Sequence, residues 1–337
     1  MLITRNYQND GSLRPSCAMT LRPKHLGAYT HHTDHALRHP FGLYNLAEQK
    51  VHRGFNQVLS ALAPIQATGE QPPGANIDEL LFRTESWLGS LLAFIDTGYL
   101  VLKALTPRPA KEKRAVFAHQ WLERNGFRYG ETFGQAVTEY RESFAYTVNQ
   151  VKHCEVRLAH ALAMMDKTTV AGFFLESVDH LGKLAPDIKA HPDHCPTSFN
   201  RALRYHLWGV YHVGQALNQA IEQAIGEHHP DARIELSESE DAQQRPAMDL
   251  ALAIAALPPM FFPGEVDKPT PRVTATEERG NATVSVAYPT KAKGRSHGNA
   301  RIMVGYTGDG VSKEGVLPSL DGTPHPSVLP PDAGKRP

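Results

Sequence analysis

The chain has 337 residues, 41% hydrophobic and 21% charged; 35 Lys+Arg balance 35 Asp+Glu, giving a formal net charge of zero and a pI of about 7.3. That length suits one large domain or two, and the composition excludes a chain that is disordered throughout or saturated with membrane-spanning sequence. The charge balance excludes a surface built as a whole to coat nucleic acid or an anionic membrane, while leaving room for a local basic patch.

Cys17, Cys154 and Cys195 are too few and too scattered for a disulfide framework, and their odd count points to a reducing cytosol. The opening residues, MLITRNYQNDGSLRPSC, hold no apolar core of signal-peptide length. Asp96 and Lys103 interrupt the richest apolar stretch, Leu88–Leu105, where about 18–20 uninterrupted apolar residues are needed to span a bilayer. The expectation is a cytoplasmic protein without a membrane partner.

In chain order, residues 1–40 read as an irregular, His-rich N-terminal segment. Leu43–Leu62 predicts a first helix, ended by Pro64. Asn76-Ile77-Asp78-Glu79 has the form of a capping box, and Ile77, Leu81, Leu88, Leu92, Ile95, Tyr99 and Leu102 follow at helical intervals as far as Pro107. A shorter helix is predicted over 110–124, stopped by Asn125-Gly126. Phe133, Val137, Tyr140, Phe144, Val148, Val151 and Leu158 then predict a long helix from Thr132 to about Met165. Val170–Glu176 reads as a strand or a buried turn, and prolines make 186–197 a loop. The clearest helix carries Phe199, Leu203, Leu207, Val210, Gly214, Leu217, Ile221 and Ile225 at spacings of three and four, with Ser198 as its cap.

Beyond residue 226 lie 14 of the 25 prolines but 4 of the 27 aromatics, a composition that buries little core for the chain it orders. The expected organisation is a helical domain over 41–226, a Pro-rich linker over 227–271, a small β-meander over 272–317 and a disordered tail over 318–337. The meander rests on the alternation of Val284, Val286 and Tyr288 after Gly280-Asn281 and on Arg301–Tyr306. The expected fold class is therefore mainly α: a bundle-like body of four or five main helices with a Pro-rich C-terminal extension.

Histidine is abundant, at 18 residues. On a helix, His31, His35 and His39 would form a row able to hold a divalent metal through neutral imidazoles, though Pro40 follows directly. His191, His194 and Cys195 are a second set of permissible metal ligands, short of the four that structural zinc takes. On the predicted 132–165 helix, Asn149, His153 and His160 share a face, with Arg157 on its flank. The last helix begins with Arg201 and His206. An arginine fork for phosphate and histidines titrating near neutrality are the equipment of a metal-independent ribonuclease. No phosphate-cradling loop, dinucleotide fingerprint, nucleophile elbow or paired C-x-x-C is present, so no cofactor is expected.

Arg201-x4-His206, at the start of the last long helix of a helical domain, resembles the R-x4–6-H motif of the HEPN superfamily over at most residues 76–226. The resemblance implies an all-helical, dimeric domain of prokaryotic defence or toxin systems, acting as a ribonuclease through Arg201 and His206. Ala202 follows the arginine where the family often has a polar residue. Positions five apart on an ideal helix sit about 140° from each other, so a joint site needs the helix to begin inside the motif or a second subunit to complete it.

Opposite the apolar stripe of that last helix lie Arg201, Tyr205, Trp208 and His212. Such a face packs on another layer of its own domain or on a partner, because Trp, Tyr and Arg are enriched in interface cores. Three function classes follow: a non-catalytic interaction or self-association module, homo-oligomeric or docking a protein partner through the Tyr205, Trp208 and His212 face; the HEPN-like ribonuclease, with RNA as substrate and Arg201, His206, His153 and Asn149 at its site; and a His-cluster metal-dependent enzyme using His191, His194 and Cys195.

Overall fold

The N-terminus of this chain is paired with a strand more than 280 residues away. In the computed structural model, which describes residues 1–27, 29–67, 76–154, 156–165, 168–179, 182–232, 244–266, 268–278, 281–289, 301–306, 315 and 318–320, β1 (Leu2–Asn6) leads into three single-turn helices, α1 (Tyr7–Asp10), α2 (Cys17–Thr20) and α3 (Pro23–Leu26). The long helices α4 (Pro40–Ala67) and α5 (Ile77–Ala104) follow, then α6 (Ala118–Arg124) and α7 (Arg128–His153). Four strands come next, β2 (Leu158–Met165), β3 (Thr168–Val178), β4 (Leu184–Pro186) and β5 (Thr197–Ser198). The chain continues through α8 (Phe199–His228), α9 (Gln244–Ala255), β6 (Arg272–Glu278), β7 (Asn281–Ala287) and β8 (Arg301–Gly305).

This corrects the mainly-α expectation. The fold is 56% helical but 17% strand, with two antiparallel sheets, one of them a curled half-barrel. One sheet has the order β1-β7-β6; the other runs β4-β3-β2-β8, with β5 paired to β3. The expected meander is thus divided, since β6 and β7 form a hairpin completed by the N-terminal β1, while β8 pairs with β2. A two-stranded hairpin is marginal by itself, and β1 supplies the third strand.

The largest error concerns residues 154–165. α7 stops at His153, and Leu158–Met165 is a strand. Its side chains follow a period of two. Leu158 and Leu162 enter the main core, while Ala159, Ala161 and Ala163 enter a second cluster with Val170, Phe174 and Phe262. A strand buried on both faces is apolar throughout, and periodicity alone does not separate it from a buried helix.

Other boundaries moved for local reasons. α4 runs through Pro64 to Ala67; Pro64 stands exposed in the last turn and Ile65 beside it is buried. α6 starts only at Ala118; the residues before it are held by Arg108–Glu112 bonds of 2.7 and 2.9 Å and by the Asn125 side chain on the Lys113 backbone. The Asn76 cap is present, accepting the Glu79 N–H at 2.9 Å. Ser198 does occupy the N-cap position of α8, but its side chain makes no capping bond.

α8 is the axis of the fold. Its predicted stripe is buried, and so are Trp208, Tyr211, Val213 and Ala216 on its other sides. α5 is the one helix among the described residues that is long and apolar enough to cross a membrane, and its buried side packs on α4, α7 and α8. Segments on both sides of the long helices join this core: Leu13, Cys17, Leu21 and Leu26 from the N-terminal segment, Met248, Ile254, Val284 and Val286 from beyond residue 226. Within 318–337, Leu320 is buried in the second cluster, and residues 321–337 lie outside the described residues.

The N-terminal segment is locked by a charge pair. Arg14 is 1% exposed and Glu48 2% exposed; Nε of Arg14 donates to Glu48 at 2.8 Å, and Nη2 donates to Asn45 at 2.9 Å. A buried pair of this kind adds little net stability, but removing one partner strands a charge in the core. Glu48→Gln is therefore expected to lower the unfolding free energy by about 3–5 kcal/mol in urea titration, and Arg14→Met/Glu48→Leu to recover most of it. A loss below about 1 kcal/mol, the size of a surface pair, would contradict the assignment.

Candidate functional site

The site is built where α7 crosses the first turns of α8. Gly209 permits the approach: a Cβ there would lie 2.1 Å from the Tyr140 ring. The Tyr140 hydroxyl and His206 Nδ1 share a hydrogen bond of 3.0 Å, and the His206 ring stands edge-on to Trp87 and Phe144, at 5.0 and 5.1 Å between centroids. Burial pushes the His206 imidazole down to about 3, with the Arg201 charge acting in the same direction. His206 is thus neutral across the physiological range.

Arg201 and His206 line one cleft of about 350 Å³, despite their angular separation on the helix. Tyr205 from α8, Ser143 and Thr147 from α7, Glu139 at the exposed rim, Tyr288 after β7 and the expected metal ligand His191 line it as well. Arg201 Nη2 donates to the Pro269 carbonyl at 3.1 Å, while its Nε is buried without a hydrogen-bond partner. Among the described residues Arg201 has no salt-bridge partner. The carboxylate nearest in effect is Glu265, 1% exposed, which accepts the Ser198 N–H with both oxygens at 3.1 Å and the Phe262 N–H at 3.2 Å. Burial raises the Glu265 carboxyl, opposed by the Ser198 hydrogen bond and the Arg201 charge. Glu265 thus caps α8 from 67 residues away, the role expected of the Ser198 side chain.

Asn149 and His153 are exposed on α7 and do not line the cleft. His160 lies on β2 opposite Gly305, so the expected Asn149, His153 and His160 stripe does not exist: the helix that would have aligned it ends at His153. The Tyr205, Trp208 and His212 face is largely covered. Trp208 is 7% exposed, stacks on His212 at 4.9 Å and lies 4.5 Å from the Tyr288 ring, with Tyr205 5.5 Å from that ring. Within this chain the face is covered by the segment that follows β7.

In the second His group, His191 lines this cleft while His194 and Cys195 do not. His191 Nε2 accepts the Leu175 N–H at 3.0 Å, and Nδ1, 3.1 Å from the Cys195 carbonyl, then carries the proton. With both nitrogens engaged, burial pushes this imidazole down to about 4. The Cys195 thiol is buried and pushed up to about 12, and His194 sits in a turn with φ of 57°. Nor do His31, His35 and His39 form a row: His31 stacks on His229, His35 Nε2 bonds the Thr106 carbonyl at 2.8 Å, and His39 meets His32 edge-on. Among the described residues no three His, Cys, Asp or Glu side chains gather to hold a metal.

Sequence reasoning missed Glu139, Ser143, Thr147 and Tyr288. The first three form an i, i+4, i+8 polar row on α7, a signal that was legible; Tyr288 arrives from the end of β7, far along the chain, and was not. The cleft thus brings together Tyr205, Tyr288 and an arginine whose Nη2 is engaged by the Pro269 carbonyl and whose Nε is not. No protein-family model matches this chain, and no curated protein or solved structure matches it either.

The neutral His206 carries a pH signature. The unfolded chain takes a proton near 6.5, the folded one only near 3, so this contribution is intact above 6.5 and is lost as pH falls toward 3. Unfolding titrations between pH 6 and 4 should show stability falling with pH, and His206→Leu should flatten that slope by about 1.4 kcal/mol per pH unit. An unchanged slope would mean His206 protonates freely in the folded protein.

Proposed function

We propose that this chain is a non-catalytic binding protein that holds a small anionic ligand, a carboxylate or phosphate ester, on Arg201 in the cleft between α7 and α8. The observation that carries the reading is the Arg201 guanidinium: it lines a cleft of ligand size, and its buried Nε has no partner. A buried donor on a charged group is costly to leave unsatisfied, and an anion accepting from Nε would relieve that cost. Ser143, Thr147 and Tyr205 add hydroxyls to the same cleft. A neutral His206 cannot donate a proton as imidazolium near pH 7, which speaks against His206 as a general acid.

One observation favours a second reading, a HEPN-like ribonuclease: Arg201 and His206 do line a single cleft. Two experiments separate them. In thermal-shift assays against a panel of small carboxylates and phosphate esters, wild type should gain stability with at least one compound, by about 2.7 kcal/mol at a hundred times Kd, and Arg201→Ala should gain none. Equal shifts in both proteins would remove the binding reading. Incubation with total RNA in excess EDTA should leave the RNA intact; cleavage abolished by Arg201→Ala would establish the ribonuclease instead.

A further inference from the structure

The segment 107–117, between α5 and α6, exposes apolar side chains from a backbone that is firmly tied down. Val116 is 89% exposed and Phe117 58%. Arg108 grips Glu112 with two bonds, and the other Glu112 oxygen accepts the Trp121 indole N–H at 2.8 Å. The Asn125 side chain accepts from the Lys113 N–H and donates to its carbonyl, both at 2.9 Å, and Arg124 donates to the Arg114 carbonyl at 3.1 Å. These bonds consume backbone groups and the one acid of the segment. The exposed side chains of Lys111, Lys113 and Arg114 have no ion-pair partner among the described residues. The nearest unengaged acid in sequence is Glu123, exposed on α6.

We infer that this hook is a peripheral docking site for an anionic phospholipid surface, with Val116 and Phe117 entering the interface and Lys111, Lys113 and Arg114 facing the headgroups. Two features favour lipid over a protein partner. A side chain 89% exposed projects from the body, and a protein would need a pocket shaped to receive it, whereas a bilayer interface receives an apolar tip of any shape. Three cations beside the tip, with the only local carboxylate engaged, match a negatively charged surface. The zero net charge of the chain does not oppose this, because attraction acts within a Debye length of the membrane and is set by the local patch.

Co-sedimentation of the full chain with vesicles tests the inference. Wild type should pellet with phosphatidylcholine vesicles containing about one-third phosphatidylserine, remain in solution with phosphatidylcholine alone, and be released when salt is raised about tenfold. Val116→Ser/Phe117→Ser should weaken binding about tenfold or more, with an unchanged melting temperature because both side chains are exposed. Lys113→Glu/Arg114→Glu should weaken it at least about 25-fold, at about fivefold for each basic residue lost before the added repulsion of the two carboxylates; the backbone bonds of both positions stay available. The inference is overturned if wild type fails to pellet with the anionic vesicles at low salt, or if the serine variant pellets as wild type does. Retention of a single-stranded RNA oligonucleotide in place of vesicles would overturn it as well, and would assign Phe117, stacked at 5.7 Å on His119, as a base-stacking platform.

Discussion

The contact between Tyr140 and Gly209 sets the position of everything around the cleft. With no Cβ at 209, the Tyr140 ring lies against the backbone of α8, and its hydroxyl reaches His206 one turn earlier. That places the Glu139, Ser143 and Thr147 row of α7 across from Arg201 and Tyr205. Dispersion and desolvation, rather than charge, hold the crossing. Tyr140 and His206 are both buried, and burial favours the neutral form of each. A proton on His206 would oppose the packing that places it.

The rest of the chain is arranged to seal this central layer. β1 closes the sheet formed by the β6–β7 hairpin, Leu13 through Leu26 cover α8 and α4, and Arg14 is matched to Glu48 under that cover. At the start of α8, Glu265 takes the amide hydrogen of Ser198, and Arg204 donates to the Asn200 and Leu257 carbonyls. Burial alone pulls the Arg204 guanidinium down to about 10, and it remains charged at neutral pH. Arg201, one turn away, has kept a donor unused. The difference between these two arginines of one helix is the physical basis for treating one as architecture and the other as a ligand contact.

Much of this was legible in the residues. The Asn76 cap, the apolar rows of α5 and α8, the row of α7 as far as Val148 and the stop at Asn125-Gly126 follow from local propensity and a 3.6-residue period; α5 and α8 stand close to where they were expected, while α7 ends at His153, short of the expected Met165. The Glu139, Ser143 and Thr147 row could have been read in the same way. β2 could not: an Ala-rich strand with both faces covered lacks polar alternation, and only its pairing with β3 and β8 declares it a strand.

The sequence by itself determined where the chain forms its long helices and which of their faces exclude water, because those properties depend on neighbours within a turn or two. Tertiary structure alone decided the partnership of β1 with β7, the separation of β8 from the β6–β7 hairpin, the cap from Glu265 and the covering of Trp208 by Tyr288. Each joins residues some 60 or more positions apart, where no local period carries information. The same holds for the histidines: whether an imidazole binds metal, moves protons or fills a core depends on desolvation and on what engages its two nitrogens, and both are properties of the folded surroundings.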